Sequence, residues 1–212
     1  MRGVDLIDVS INGDVQNLVI NGVDVAPLID AELNRRHPDR VKMRPEDPAG
    51  FREAWTILDA LWDGTIERAQ RLTPEQLHQR VNGEWSFIET LRHLSYATDS
   101  WVRRGILGDR SPWDALDLPP EEFADGPEFA RARGARPSLE EVLALRRSRT
   151  ATVREFLQQL TEESLDSENI VEGPGWPLEG SYPVRTCLRI VLNEEWQHRL
   201  YVERDFDIMD NE

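Results

Sequence analysis

The chain has 212 residues, with 40 acidic against 25 basic side chains and a formal net charge of −15. That excess argues against nucleic acid and anionic membrane surfaces as partners, because both are held by Lys and Arg neutralising phosphate charge. Hydrophobic residues at 39%, seven of all residues being Trp, suffice to bury one large domain, or one domain with a small appendage. The single Cys187 excludes an internal disulfide framework and fits a reducing compartment. No basic start leads into an apolar run, and nothing approaches about 18 consecutive apolar residues. The expectation is a cytoplasmic protein with neither signal peptide nor membrane span.

Residues 1–25 interleave Val and Ile with Asp, Asn and Gly, and Ser10-Ile11-Asn12-Gly13 returns as Val19-Ile20-Asn21-Gly22. Alternation broken by Asn-Gly turns predicts short strands, and two units are too few to stand alone as a repeat domain. Residues 1–36 therefore read as a small β-rich appendage, packed on the main body or on a second subunit. One or two helical turns are expected over residues 27–36, ending before His37-Pro38.

The main body, residues 48–206, carries helical periodicity. After Asp47-Pro48, residues Phe51, Trp55, Leu58, Trp62, Ile66, Ala69 and Leu72 step by three and four. Thr73-Pro74-Glu75-Gln76 marks a stop and short restart, with His78 in a polar connector. Ser86-Phe87-Ile88-Glu89 is a capping box that opens a second helix, closing at Gly105 or Gly108. Its inner face includes Thr90, His93, Leu94, Ala97 and Trp101, so His93 points to the interior, as a hydrogen-bonded core histidine or as a ligand.

Residues 108–136 are rich in Pro and Gly, with a turn expected at Pro120-Glu121-Glu122-Phe123. So long a connection permits a crossover in a bundle. Pro137-Ser138-Leu139-Glu140-Glu141 starts a third helix, whose apolar stripe is interrupted by Arg146, Arg149 and Thr150. Either those arginines emerge at the bundle edge on apolar stems, or one faces a cavity and holds an anionic group. A second long loop, with Pro174-Gly175-Trp176-Pro177, precedes Pro183, which suits the first position of a fourth helix.

On that last helix Cys187, Val191, Glu194, His198 and Tyr201 share one face. A carboxylate on a buried stripe needs a partner or a metal, and Glu194 and His198, four apart, can converge on one ion. A surface Glu–His pair is the alternative. With His93 from the second helix, two His and one Glu make a set of three ligands that leaves a fourth position open, as in catalytic zinc sites; Ni²⁺ is also compatible.

Two stretches, Gly83-Glu84-Trp85-Ser86-Phe87-Ile88-Glu89-Thr90-Leu91-Arg92-His93-Leu94 and Asn193-Glu194-Glu195-Trp196-Gln197-His198, resemble the DinB/YfiT-like metal-binding four-helix bundles. The resemblance covers roughly residues 48–206. It implies a mainly α fold, a four-helix bundle with long crossover connections, with the β-rich N-terminal segment outside it. The family carries one His on its second helix and a His-x-x-x-His pair on its fourth; here Glu194 replaces the first His of that pair. The resulting His, Glu and His set is similar to that of mycothiol-dependent maleylpyruvate isomerase-type members. The resemblance implies a metal-dependent S-transferase or isomerase using a low-molecular-weight thiol such as mycothiol on a small electrophilic substrate. The metal would be held by His93, Glu194 and His198, with Arg146, Arg149 or Tyr201 contacting the ligand. A metal-dependent hydrolase and a non-enzymatic metal- or ligand-binding bundle with a vestigial site are the alternatives. A homodimer is expected, as symmetric pairs are the commonest assemblies.

Overall fold

In the computed structural model, residues 7–9, 11, 15, 17–120 and 133–211 are described. They fall into two units that divide between Val41 and Lys42. In the first, β1 (Val19–Ile20) and β2 (Val23–Asp24) form an antiparallel hairpin with Val19 opposite Asp24. Asn21 and Gly22 both take positive φ at its turn, as the Asn-Gly pair dictates. Ser10, Asn12 and Gly13, three of the four residues of the first repeat unit, lie outside the described residues, as does most of the turn expected at Pro120–Phe123. Helix α1 (Ala26–Arg36) runs longer than the one or two turns expected. It buries no residue, and charge pairs within the unit brace it instead: Glu32 with Arg35 and Arg36, and Asp30 with Arg40.

The second unit is the bundle. Helix α2 (Pro48–Ala69) starts where Asp47 accepts a hydrogen bond from the Gly50 backbone N–H at 2.7 Å and Pro48 needs no donor partner. A single turn, α3 (Pro74–Leu77), follows behind a Thr73–Gln76 capping box. Helix α4 (Phe87–Thr98) continues through a π-helical turn, Asp99–Arg104. Helix α5 (Leu139–Gln159) opens on the Ser138–Glu141 capping box, and a short turn, α6 (Glu162–Leu165), comes next. Helix α7 (Val184–Asp210) closes the chain. Pro183 is its N-cap and Val184 its first helical residue, one position later than the sequence suggests. No helix among the described residues is long and apolar enough to cross a membrane.

The loop expected before α7 contains a hairpin. Strands β3 (Glu168–Val171) and β4 (Gly180–Pro183) pair antiparallel, with Asn169 opposite Tyr182. Neither alternates apolar and polar residues well, which is why periodicity misses them. Between them Gly175, at φ +127°, lies so close to Trp113 that a Cβ would sit 2.2 Å from the indole.

The principal contacts run α2–α7, α7–α4, α4–α5 and α5–α2. Successive long helices α2 and α4 thus sit across the bundle from one another, as do α5 and α7. The connections before α5 and α7 are long enough to reach across. The core splits into two apolar clusters. One holds Phe51, Leu58, Val102, Val153, Leu188 and Trp196; the other holds Trp62, Leu91, Leu94, Val142, Val202 and Phe206. Along α4 with its π-helical turn, α5 and α7 the change of cluster brackets a short stretch, and Asp99, Arg146, Arg149, Thr150 and His198 fall in those stretches. A polar belt therefore crosses the middle of the bundle.

Candidate metal centre

His93, Glu194 and His198 meet where α4 lies against α7. Each offers one ligand atom, and the three atoms lie within 4.8 Å of one another. His93 Nε2 is 3.3 Å from Glu194 Oε2, and His198 Nε2 is 3.1 Å from the same oxygen. Neighbouring ligand atoms around a tetrahedral zinc, with bonds of about 2.0–2.1 Å, stand roughly 3.3 Å apart. The donor types and two of the three spacings therefore fit a divalent ion.

Local structure fixes each ligand. The Ser86–Glu89 capping box sets the start of α4: Glu89 Oε2 accepts from the Ser86 backbone N–H at 2.9 Å and is clasped by Arg80. Asn82 and Gly83, both at positive φ, turn the chain into Glu84 and Trp85. The Trp85 ring lies 4.5 Å from that of His93 and stacks on that of His198 at 5.7 Å. His93 is buried, and its Nδ1 lies 3.1 Å from the Leu118 carbonyl oxygen. A carbonyl can only accept, so Nδ1 carries the proton. In the neutral ring Nε2 then presents its lone pair to the Glu194 carboxylate. Two acceptors so placed repel unless a cation lies between them, either a second proton or a metal ion. A ring nitrogen fixed from behind by a backbone carbonyl is also how metal-ligating histidines are commonly oriented.

Burial would raise the Glu194 pKa, but the hydrogen bonds to His198 and His93 outweigh it and hold the carboxyl at about 2. It is ionised and ready to ligate at neutral pH. The segment carrying Leu118 is held from α4: Arg92, fully buried, donates from Nε to the Leu116 carbonyl at 2.6 Å, and its own carbonyl accepts from the Leu118 N–H. Beside it Asp117 accepts from the Asp114 backbone N–H. Burial, then the nearby charge of Asp99, pushes the Asp117 carboxyl up to about 8.

The arginines singled out in α5 do not reach this centre. Arg146 is buried and forms a two-pronged ion pair with Glu195, at 3.0 and 2.6 Å, over the Trp62 ring at 4.5 Å. Arg149 binds Asp99 through Nε and a terminal nitrogen at 3.0 and 2.8 Å. Neither emerges at the bundle edge and neither faces the cavity, because each has a carboxylate partner, Glu195 on the diagonally opposite α7 for Arg146 and Asp99 on the π-helical turn for Arg149. Sequence reading misses those partners, as Glu195 and Asp99 look like ordinary helix surface residues. Tyr201, by contrast, lines a cavity of about 330 Å³ beside His198, together with Trp85, Thr90 and Pro120. Cys187 is buried, which pushes its thiol up to about 11 and leaves it a core residue.

The model of the DinB superfamily matches residues 57–202. The chain belongs to the DinB superfamily. The DinB match spans all three metal-centre residues and stops short of residues 1–41. Among solved structures, the DinB fold is matched by YfiT from Bacillus subtilis, described as a probable metal-dependent hydrolase with an unusual four-helix bundle topology. The similarity has a TM-score of 0.54 at 13% identity and covers 78% of this chain and 91% of YfiT. No curated protein matches this DinB chain.

Proposed function

We propose that this chain is a metal-dependent enzyme, with a divalent ion held by His93 Nε2, Glu194 Oε2 and His198 Nε2, acting on a small electrophilic substrate. The observation that carries the reading is the convergence of His93 Nε2 and His198 Nε2 on one oxygen of Glu194, at 3.3 and 3.1 Å, with the His93 ring fixed from behind by the Leu118 carbonyl. Among divalent ions we favour zinc, which suits two imidazoles and a carboxylate; nickel is the second choice. A metal in such a site supplies Lewis acidity and lowers the pKa of a water or thiol in its open position. Glu194 offsets one of its charges, Trp85 and the buried face of His93 keep bulk water from one side, and the cavity beside His198 receives the substrate.

Hydrolysis is the reading we place first, supported by the likeness to YfiT in fold and by a cavity open to water. Thiol-dependent S-transfer or isomerisation is the second. It is supported by the His, Glu and His set, which resembles that of mycothiol-dependent isomerase-type members. The test is turnover by zinc-loaded protein of an activated ester and of 1-chloro-2,4-dinitrobenzene, each with and without mycothiol. Ester turnover without thiol, lost in His93→Ala, is the expected result. Turnover only with thiol would move the assignment to the transferase. Zinc uptake without turnover in either assay would leave a vestigial binding site, and failure to take up zinc would remove the proposal.

A further inference from the structure

We infer that the cavity beside the metal centre accepts a ligand bearing a cationic group, an ammonium or guanidinium, about 10 Å from the metal. The inference rests on the metal-dependent reading for the position of the reacting end. The charged side chains that line the cavity, His198 apart, are both carboxylates, Glu84 and Asp205. Asp205 lies seven residues beyond His198 on α7, about 10 Å along the axis at 1.5 Å per residue.

The two acids are short of one positive charge. Asp205 is bound by the adjacent Arg204, at 2.8 Å from Nε and 2.7 Å from a terminal nitrogen. Glu84 forms no ion pair among the described residues, yet it is close enough to Asp205 to help raise that carboxyl's pKa, behind the larger effect of burial. Arg204 thus offsets Asp205 and leaves the charge of Glu84 over. A second cation in the cavity would relieve their repulsion and desolvate little, because Glu84 is exposed.

Arg204 also indicates what kind of group the outer end accommodates. Its guanidinium lies over the Tyr201 ring, 5.3 Å from the centroid, while bonded to Asp205. An aromatic face beside a carboxylate is a setting that favours organic cations. With 42% of its side chain exposed, Arg204 can swing outward. An anionic ligand tail would meet the same two carboxylates unfavourably. The cavity therefore selects against acidic substrates and for amines.

The test uses three probes with the same spacing between the hydroxamate and the varied group on the zinc-loaded protein, followed by calorimetry: 6-aminohexanohydroxamate, its N-acetyl derivative, and adipic acid monohydroxamate. The hydroxamate end suits the metal, and the far ends are cationic, neutral and anionic. The expected order is ammonium tightest and carboxylate weakest, with about tenfold between the extremes. Glu84→Gln should narrow that gap, and Arg204→Gln should widen it by freeing Asp205. A parallel titration of metal-free protein compares hexylammonium with hexanoate. Preference for hexylammonium there, with no zinc uptake, would keep the cavity assignment and remove the metal one. Equal or tighter binding of the anionic probe, or a gap unmoved by Glu84→Gln, would overturn the inference.

Discussion

Replacing Arg146 by Met leaves the Glu195 carboxylate, 1% exposed, without its two hydrogen bonds and in a setting built for a pair. Breaking one side of a buried ion pair costs about 3–5 kcal/mol, because the remaining charge is neither solvated nor neutralised. Against a total stability of about 5–15 kcal/mol for a domain, that is a large share. For a chain of this size the melting temperature should fall by roughly 6–20 °C, at about 2–4 °C per kcal/mol. Loss of the stack on Trp62 adds to the fall. The double variant Arg146→Met with Glu195→Leu removes the orphan charge as well as the pair, and buried pairs replaced by apolar residues are often neutral or stabilising. Urea unfolding of the metal-free protein, wild type, both singles and the double, closes the cycle. The double should recover most of the loss seen in Arg146→Met. If the double is as unstable as the single, the cost lies in packing and the electrostatic account is wrong.

Zinc at a hundredfold excess over its dissociation constant should raise stability by about 2.7 kcal/mol. The rise should be largely absent in His93→Ala and Glu194→Gln, as thermal melts with and without zinc will show. For Asp117 the folded pKa, about 8, lies above the ordinary carboxylate value of 3.8, so the folded state holds the extra proton between these values. Stability from this group is therefore present at low pH and is lost as pH rises through that window. Asp117→Asn should flatten the pH dependence of urea midpoints from pH 5 to 8; an unchanged slope would show that Asp117 ionises normally. The Cys187 thiol should resist a disulfide reagent at pH 8 in the native state and react fully in urea, and fast native modification would contradict its burial.

Much of this architecture is legible in the sequence because its signals are local. Ser86 and Glu89, Ser138 and Glu141, Asp47 with Pro48, and Pro183 announce where helices begin, and the starts at Ser86 and Pro183 fix the faces on which His93 and His198 appear. What stays hidden is pairing across the chain. Arg146 and Glu195 read separately as a break in an apolar stripe and as a second acid beside Glu194, and only packing of α5 near α7 shows that each explains the other. The hairpin β3–β4 is hidden for a different reason: its strands are short and half-exposed, so period-2 alternation has no buried face to record. The carbonyl of Leu118, which orients His93, carries no side-chain signature at all.

Glu194 and Glu195 stand next to each other on α7, and a helix turns consecutive side chains by about 100°. One acid faces the histidines while the other meets Arg146 inside the bundle. Sliding α7 by a single residue would either put Trp196 opposite Arg146 and Arg199 in place of His198, or put Asn193 in place of the liganding carboxylate and Gln197 in place of His198. Only one setting of the last helix satisfies both acids. A deletion of one residue anywhere between Val184 and Asn193 should therefore abolish metal uptake even where the helix still forms.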